Sequence, residues 1–178
     1  MKKYFIEGRC IYLREVRLSD VSDRYCRWLN DPEVNQYLET RHAKQSLKSI
    51  KRYVESKIEK KDEIFLAICL KADGKHIGNI KLGPINPFHR FADVSLFIGE
   101  KDCWGMGIAT EAISLLAKFA FDELHLNKLA AGCYAGNIGS ARAFENAGFR
   151  REGLEKSKWF SGGRYVDGIL LGLVNPGR

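Results

Sequence analysis

The chain has 178 residues, 45% of them hydrophobic and 29% charged, and a formal net charge of +7. That balance fits one globular domain with a normal core and excludes a disordered chain. No apolar stretch approaches the roughly 20 residues of a membrane-spanning helix. Met1-Lys2-Lys3-Tyr4-Phe5-Ile6-Glu7 meets charges before a signal-type apolar run can form, so a cytoplasmic protein with no membrane partner is expected.

The five cysteines (Cys10, Cys26, Cys69, Cys103, Cys133) are far apart, form no C-x-x-C pair and are odd in number. They read as reduced, mostly packed thiols rather than metal ligands or disulfides. All the excess positive charge lies in residues 1–90, which hold 19 Lys+Arg against 12 Asp+Glu; residues 91–178 hold 10 of each. A basic half can attract a phosphorylated small substrate, RNA or an acidic protein, or it can be a solvated lysine-rich helix over residues 44–61. No interleaving of aromatic with basic residues marks a nucleic-acid platform, so no nucleic-acid partner is expected.

In chain order, residues 11–16 alternate as a strand, and Ser19-Asp20 offers an N-cap for a short helix through Trp28 and Leu29. Asp31-Pro32 starts a second short helix with Val34, Tyr37 and Leu38 on its apolar face. From Ser46, the spacing of Leu47, Ile50, Val54 and Ile58 predicts an amphipathic helix. Residues 64–70 are almost continuously apolar and read as a strand buried on both faces, followed by a hairpin turn at 72–75 and a returning strand at 76–82. Residues 83–90 are rich in breakers and read as a loop, and 94–98 as the next strand. A helix with Ile108, Ala112, Leu115 or Leu116, and Phe119 on one stripe ends near Asp122; then come a strand at 129–134, a helix at 140–147 closed by Gly148, and strands at 149–156 and 165–173. Without repeats, low-complexity tracts or linkers, this is one α/β domain over residues 1–178.

The local feature that carries chemistry is Trp104-Gly105-Met106-Gly107-Ile108-Ala109-Thr110, which runs from a strand straight into an amphipathic helix. Two glycines allow close backbone approach, and the first helical amides lack intrahelical acceptors, so a diphosphate is the natural guest. A dinucleotide unit would carry an acid at the end of the next strand, but that strand reads Leu129-Ala130-Ala131-Gly132-Cys133-Tyr134. A triphosphate loop would need Gly-Lys-Ser/Thr, and Gly107-Ile108-Ala109-Thr110 lacks the lysine.

Trp104-Gly105-Met106-Gly107-Ile108-Ala109 resembles the Gln/Arg-x-x-Gly-x-Gly/Ala loop of the GNAT superfamily of acyl-CoA-dependent N-acetyltransferases, with Trp104 in the Gln/Arg position. The stretch from Asn137 to Phe149 is similar to the family's Asn-x-x-Ser/Ala helix that ends in Gly-Phe. Arg151-Glu152-Gly153, Gly163-Arg164-Tyr165-Val166-Asp167, Leu13-Arg14 and Trp28-Leu29-Asn30-Asp31-Pro32-Glu33-Val34 extend the likeness, especially to the ribosomal-protein and amino-sugar acetyltransferase branch, over nearly the whole chain. The resemblance implies an α/β (α+β) domain with a mixed, mostly antiparallel sheet, flanked by helices and splayed at an acetyl-CoA site. The free backbone of Leu96, Phe97 and Ile98 would then pair with pantetheine as an added strand does. Residues 104–110 would hold the pyrophosphate, and Asn137, Ser140 and Phe144 would complete the cofactor site. Asn137 can equally cap the helix that follows, and Ser140 can satisfy its first turn.

Acetyl transfer needs a neutral amine, donors for the developing oxyanion and a proton for the departing thiolate. Family members often place a Tyr acid where this chain has Phe144, which has no proton to give. The resemblance points to Ser140 as the donor, with Tyr134, a bound water or unassisted departure of the thiolate as alternatives. Asp93 is the candidate base and His89 its runner-up; Asp93 can instead pair with Arg90 or a neighbouring strand. By the same resemblance Tyr37, Glu39, Arg41, Phe88, His89, Arg90 and Trp159 line the acceptor pocket. The acceptor is a small-molecule or peptide amine. The basic first half argues against a polyamine and for an amino-sugar nucleotide, with a protein N-terminus as the alternative. A monomer or homodimer suits either, and a non-catalytic acyl-CoA-binding module is the competing class.

Overall fold

The computed structural model describes residues 5–177; Met1–Tyr4, which carry part of the N-terminal reading, and Arg178 lie outside the described residues. The strands are β1 (Phe5–Glu7), β2 (Ile11–Glu15), β3 (Ile64–Leu70), β4 (His76–Asn86), β5 (Phe91–Ile98), β6 (Lys128–Tyr134), β7 (Arg150–Ser161) and β8 (Arg164–Val174). The helices are α1 (Asp23–Asn30), α2 (Pro32–Asn35), α3 (Leu47–Ile58), α4 (Ile108–Asp122) and α5 (Ile138–Asn146). The strands form one sheet in the order β1-β2-β3-β4-β5-β6-β8-β7. Every neighbouring pair is antiparallel except β5 with β6.

Alternation along β3 shows how the sheet is sandwiched. Leu66 and Ile68 enter the core shared with α4 and α5, while Ala67 and Cys69 enter a second core under α1 and α3. Successive strand side chains point to opposite faces, so a strand buried on both must be apolar throughout, as this one is. Helix α4 is the main cover of the first core, through Ile108, Ala112, Ile113, Leu116 and Ala120. In the second core Tyr25, Trp28, Ile50 and Val54 pack on the sheet with Phe97 beside them.

Local signals locate several boundaries. Ser46 accepts from the Ser49 amide and opens α3, and Asp31 accepts from the Glu33 amide with Pro32 in the first turn of α2. At α1 the cap is Ser22, not Ser19-Asp20. Asp20 is drawn off by Arg14, whose Nη1 and Nη2 lie 2.8 and 2.7 Å from the two carboxylate oxygens, and it closes a separate 3-10 turn at Leu18–Asp20. The 83–90 segment is not a loop: β4 runs on to Asn86, with a bulge between Leu82 and Ile85 absorbing Gly83-Pro84. Pairing resumes at Ile85↔Ala92 and Asn86↔Phe91, which leaves 87–90 as the turn and starts β5 earlier than expected. The three-residue β1 is too short for its alternation to have been read.

Candidate active site

Between β5 and β6 the parallel pairing comprises Phe91↔Lys128, Ala92↔Leu129 and Asp93↔Ala130, and then stops. Past that point the two strands part, and a cavity of about 870 Å³ opens between them, lined by residues 94–98, by Gly132, Cys133 and Tyr134, by the start of α4 and along α5 as far as Asn146. Two parallel strands that diverge leave facing backbone groups unpaired, which is an edge an extended ligand can occupy.

The connection from β5 to α4 is built to leave amides exposed. Gly105 and Gly107 have φ of 73° and 78°, a region that L side chains rarely adopt. A Cβ at either position would meet nothing within 4 Å, so the glycines serve the backbone conformation and not packing. Gly107 is the N-cap of α4 and supplies no side chain to cap it. Among the described residues none accepts a hydrogen bond from the amides of Gly105 to Thr110. Unsatisfied amides at the positive end of a 15-residue helix form an anion site. Trp104 contributes differently: its indole N–H donates to the Ile98 carbonyl at 2.9 Å, fastening the turn to the strand end. That engages one of the β5 carbonyls expected to face a ligand.

On α5, the Asn137 side-chain oxygen accepts from the Ser140 amide at 3.1 Å, so the capping role is real and the amide nitrogen of Asn137 is left for a ligand. Ser140 lines the cavity next to Cys133. Burial pushes the Cys133 thiol up, and its hydrogen bond with Ser140 pulls against that. Phe144 is 2% exposed, packs edge-on to Phe149 with centroids 5.0 Å apart, and forms part of the cavity wall.

The rest of the lining comes from Glu33, Val34 and residues 36–39, from Cys103, from Glu155, Lys158 and Trp159 on β7 and from Ile169 and Leu170 on β8. Tyr134, at the end of β6, is the hub. Its hydroxyl donates to Glu39 Oε1 at 3.2 Å and accepts from Arg41 Nη2 at 2.8 Å. Its ring lies 5.5 Å from Tyr37 and 5.2 Å from Trp159. Burial pushes the Tyr134 phenol above its ordinary value, with Arg41 opposing; the hydroxyl therefore stays protonated at neutral pH. Arg41 and Lys158 place cations 4.9 and 4.8 Å from the Tyr134 and Trp159 ring centroids, so these faces accept positive charge.

Of the residues expected at the acceptor, Tyr37, Glu39, Arg41 and Trp159 come together here. Phe88, His89 and Arg90 do not. They form the β4–β5 turn, at the end of β5 away from Ile98; Phe88 is 87% exposed and none of the three bounds the cavity. Asp93 is also outside the lining, exposed at the last β5–β6 rung. It lies in the field of Lys81, whose ammonium burial pushes down while Glu63 and Asp93 pull it up. Sequence reasoning missed Glu33, Cys133, Glu155 and Lys158 in the lining. The last two arrive through an irregularity of β7 between Glu155 and Trp159 that includes Ser157 at φ 49°, and no glycine announces it.

Residues 11–150 match the acetyltransferase (GNAT) domain family. The chain is a GNAT acetyltransferase. It is 30% identical to the probable N-acetyltransferase YjcK of Bacillus subtilis (strain 168), over 96% of this chain and 97% of that one. Its fold matches a GNAT-family acetyltransferase from Bacillus anthracis with a TM-score of 0.84 at 20% identity, over 97% and 99% of the two chains. It also matches a spermidine N-acetyltransferase from Vibrio cholerae, solved with CoA and spermine, with a TM-score of 0.83 at 22% identity, over 94% and 97%. This GNAT protein is an N-acetyltransferase whose acyl donor is acetyl-CoA. The unpartnered amides of residues 105–110 and the open β5 edge fit that donor's pyrophosphate and amide-bearing arm. Among the described residues no group of His, Cys, Asp and Glu could hold a metal ion, and no helix is long and apolar enough to cross a membrane.

Proposed function

We propose that this N-acetyltransferase acts on a small aliphatic amine that enters as its ammonium ion. The observation that carries this reading is Glu39, held by the Tyr134 hydroxyl beside the Tyr37, Tyr134 and Trp159 rings, in a cavity that also carries the glycine turn. A carboxylate among aromatic faces suits an ammonium group. The other carboxylates in the lining are engaged by ammonium groups, Glu33 by Lys101 at 2.8 Å and Glu155 by Lys158, whereas Glu39 has the Tyr134 hydroxyl and, 3.7 Å away, the His42 ring. An amino-sugar nucleotide finds less support than the net charge suggests. Several lysines of the first half are held in pairs such as Lys57–Glu63 at 2.7 Å, and Lys158 and Arg142 are the bases in the cavity lining.

In this reading bound acetyl-CoA supplies an activated thioester carbonyl. The amides of residues 105–110 and the Asn137 side-chain nitrogen hold the donor, with the Leu96–Ile98 edge alongside and Phe144 as an apolar wall. Glu39 positions the ammonium and takes its proton, leaving the nitrogen lone pair free. Tyr134 keeps Glu39 in place through its hydrogen bond, and Arg41 keeps the hydroxyl oriented. Ser140 is the hydroxyl that passes a solvent proton to the leaving sulfur, because Phe144 cannot, and the nitrogen gives its second proton to solvent as the C–S bond breaks. Asp93 and His89, outside the cavity, take no part.

The test is thiol release from acetyl-CoA across diamines and polyamines, amino-sugar nucleotides, short peptides with free N-termini, and aminoglycosides. Greatest kcat/KM with a di- or polyamine is expected. Preference for an amino-sugar nucleotide or a peptide would move the acceptor to that class, and tight acetyl-CoA binding with no release for any acceptor would make the chain a binding module.

A further inference from the structure

A second cavity, of about 540 Å³, lies apart from the acetyl-transfer site, between α1 and the segment that joins β5 to the glycine turn. Two guanidiniums of α1, Arg24 and Arg27, face it from one side, and residues 99–102 with Lys75 face it from the other. Three residues apart on a helix, the two arginines share a face and repel one another. That repulsion is offset only in part, by Glu100 near Arg24 and by Asp102 on the rim.

The carboxylates at hand are largely committed. Glu100 accepts from Lys75 Nζ at 2.6 Å and from the Trp28 indole at 3.0 Å, and its Oε1 stands 4.0 Å from Arg24 Nε. Asp31 pairs with Lys101 at 2.9 Å. Asp102 is on the rim without a cation of its own among the described residues, one carboxylate against two guanidiniums. Arg24 Nε is buried and has no hydrogen-bond partner, although the guanidinium lies 5.6 Å from the Trp28 ring centroid. Arg27 has no ion pair or side-chain hydrogen bond among the described residues. A guanidinium presents five N–H donors in a planar fork, and a buried donor left unpaired costs free energy. Two such forks on one wall of a cavity match the oxygens of a phosphate group.

We propose that this cavity is a second anion site, which takes a free phosphate group, inorganic or at the end of a nucleotide, between Arg24 and Arg27. The floor is fixed: any side chain at Gly99 would collide with the Trp28 indole, so the connector is pinned to α1 there. Since Glu100 holds the Trp28 indole N–H, that proton reports on the cavity.

The experiment uses the full chain saturated with CoA, which fills the glycine turn, at constant ionic strength. Inorganic phosphate and AMP are titrated separately, and the Trp28 indole N–H resonance is followed, with that of Trp159 as the control. A saturable Trp28 shift, half-complete at or below about 1 mM, is expected. It should weaken at least about tenfold in Arg27→Gln and disappear in the Arg24→Gln/Arg27→Gln double variant, whose unchanged CoA affinity shows that the fold is kept. A shift with phosphate identifies the free ion as sufficient, and a shift with AMP alone assigns a nucleotide's phosphate. No saturable shift with either, or one that survives in the double variant, overturns the proposal.

Discussion

The two ends of the acetyl-transfer cavity are made from different materials. At the glycine turn, what the protein offers is backbone: six consecutive amides, two positive φ angles and the start of a helix. At the proposed acceptor end it offers side chains, with Glu39 and Arg41 from one turn, Tyr134 from β6 and Trp159 from β7 converging from three separate places in the chain. A backbone site is written in one contiguous stretch and tolerates any side chain that permits its φ and ψ. A side-chain site can be re-specified by single substitutions, so acceptor choice is free to change while the donor site stays as it is.

Phe144 belongs to the wall between the two ends, and its loss should harm both. Phe144→Ala is expected to lower unfolding free energy by about 3–5 kcal/mol, because the buried ring leaves a hole against Phe149. Urea unfolding measures this, and a loss under about 1 kcal/mol would mean that the wall is not packed as described. Next comes Gly107→Ala, which forces an L side chain to φ 78°. A cost of roughly 1–2 kcal/mol should appear as an acetyl-CoA Kd raised about tenfold, by calorimetry, with the acceptor KM nearly constant. An unchanged Kd would show that the turn's conformation does not matter for the donor.

At the other end, Tyr134→Phe removes the hydroxyl that bridges Glu39 and Arg41. One hydrogen bond of about 1 kcal/mol corresponds to roughly a fivefold rise in acceptor KM, with acetyl-CoA KM unaltered. A rise in acetyl-CoA KM instead would erase the division between the ends.

The smallest effect lies outside the cavity. His76 is buried beside Tyr25 and Trp28, with Nε2 2.9 Å from both the Gly78 carbonyl and Asn79 Oδ1. Both partners accept, so Nε2 carries the proton of a neutral ring. Burial is the main cause that holds its pKa below the ordinary value of about 6.5. The unfolded chain therefore binds a proton that the folded chain refuses, and stability falls as pH drops below about 6.5, by no more than about 1.4 kcal/mol per pH unit. Asp20, Glu63 and Glu100, held low by cationic partners, lose their contributions only in the more acidic carboxylate range. Urea midpoints between pH 8 and 5 should decline for the parent and stay flatter for His76→Gln; equal slopes would contradict the assignment.

The same contrast explains what was legible in the sequence. The order of strands and helices followed from apolar spacing, and Gly105-Met106-Gly107 followed from the chemistry of a helix start. Where a residue had two possible jobs, spacing alone could not choose between them: Asp20 reads as a cap until Arg14 claims it, and Gly83-Pro84 reads as a loop until the bulge is seen. Glu39 and Tyr134 meet only because β6 and the turn after α2 come to one end of the sheet. Phe88, His89 and Arg90 were placed at the acceptor from a loop that the longer β4 turns into a hairpin tip. Net charge says little about the cavity, since several lysines of the basic half are paired locally with Glu55, Glu63 and Glu100.

Two-substrate kinetics of Glu39→Gln test the central division most directly. With the acceptor that the panel identifies, the KM for the amine should rise at least tenfold, while the acetyl-CoA KM stays within twofold of the parent, about 0.4 kcal/mol. Equal changes in both constants, or no change in either, would contradict an acceptor end built on Glu39.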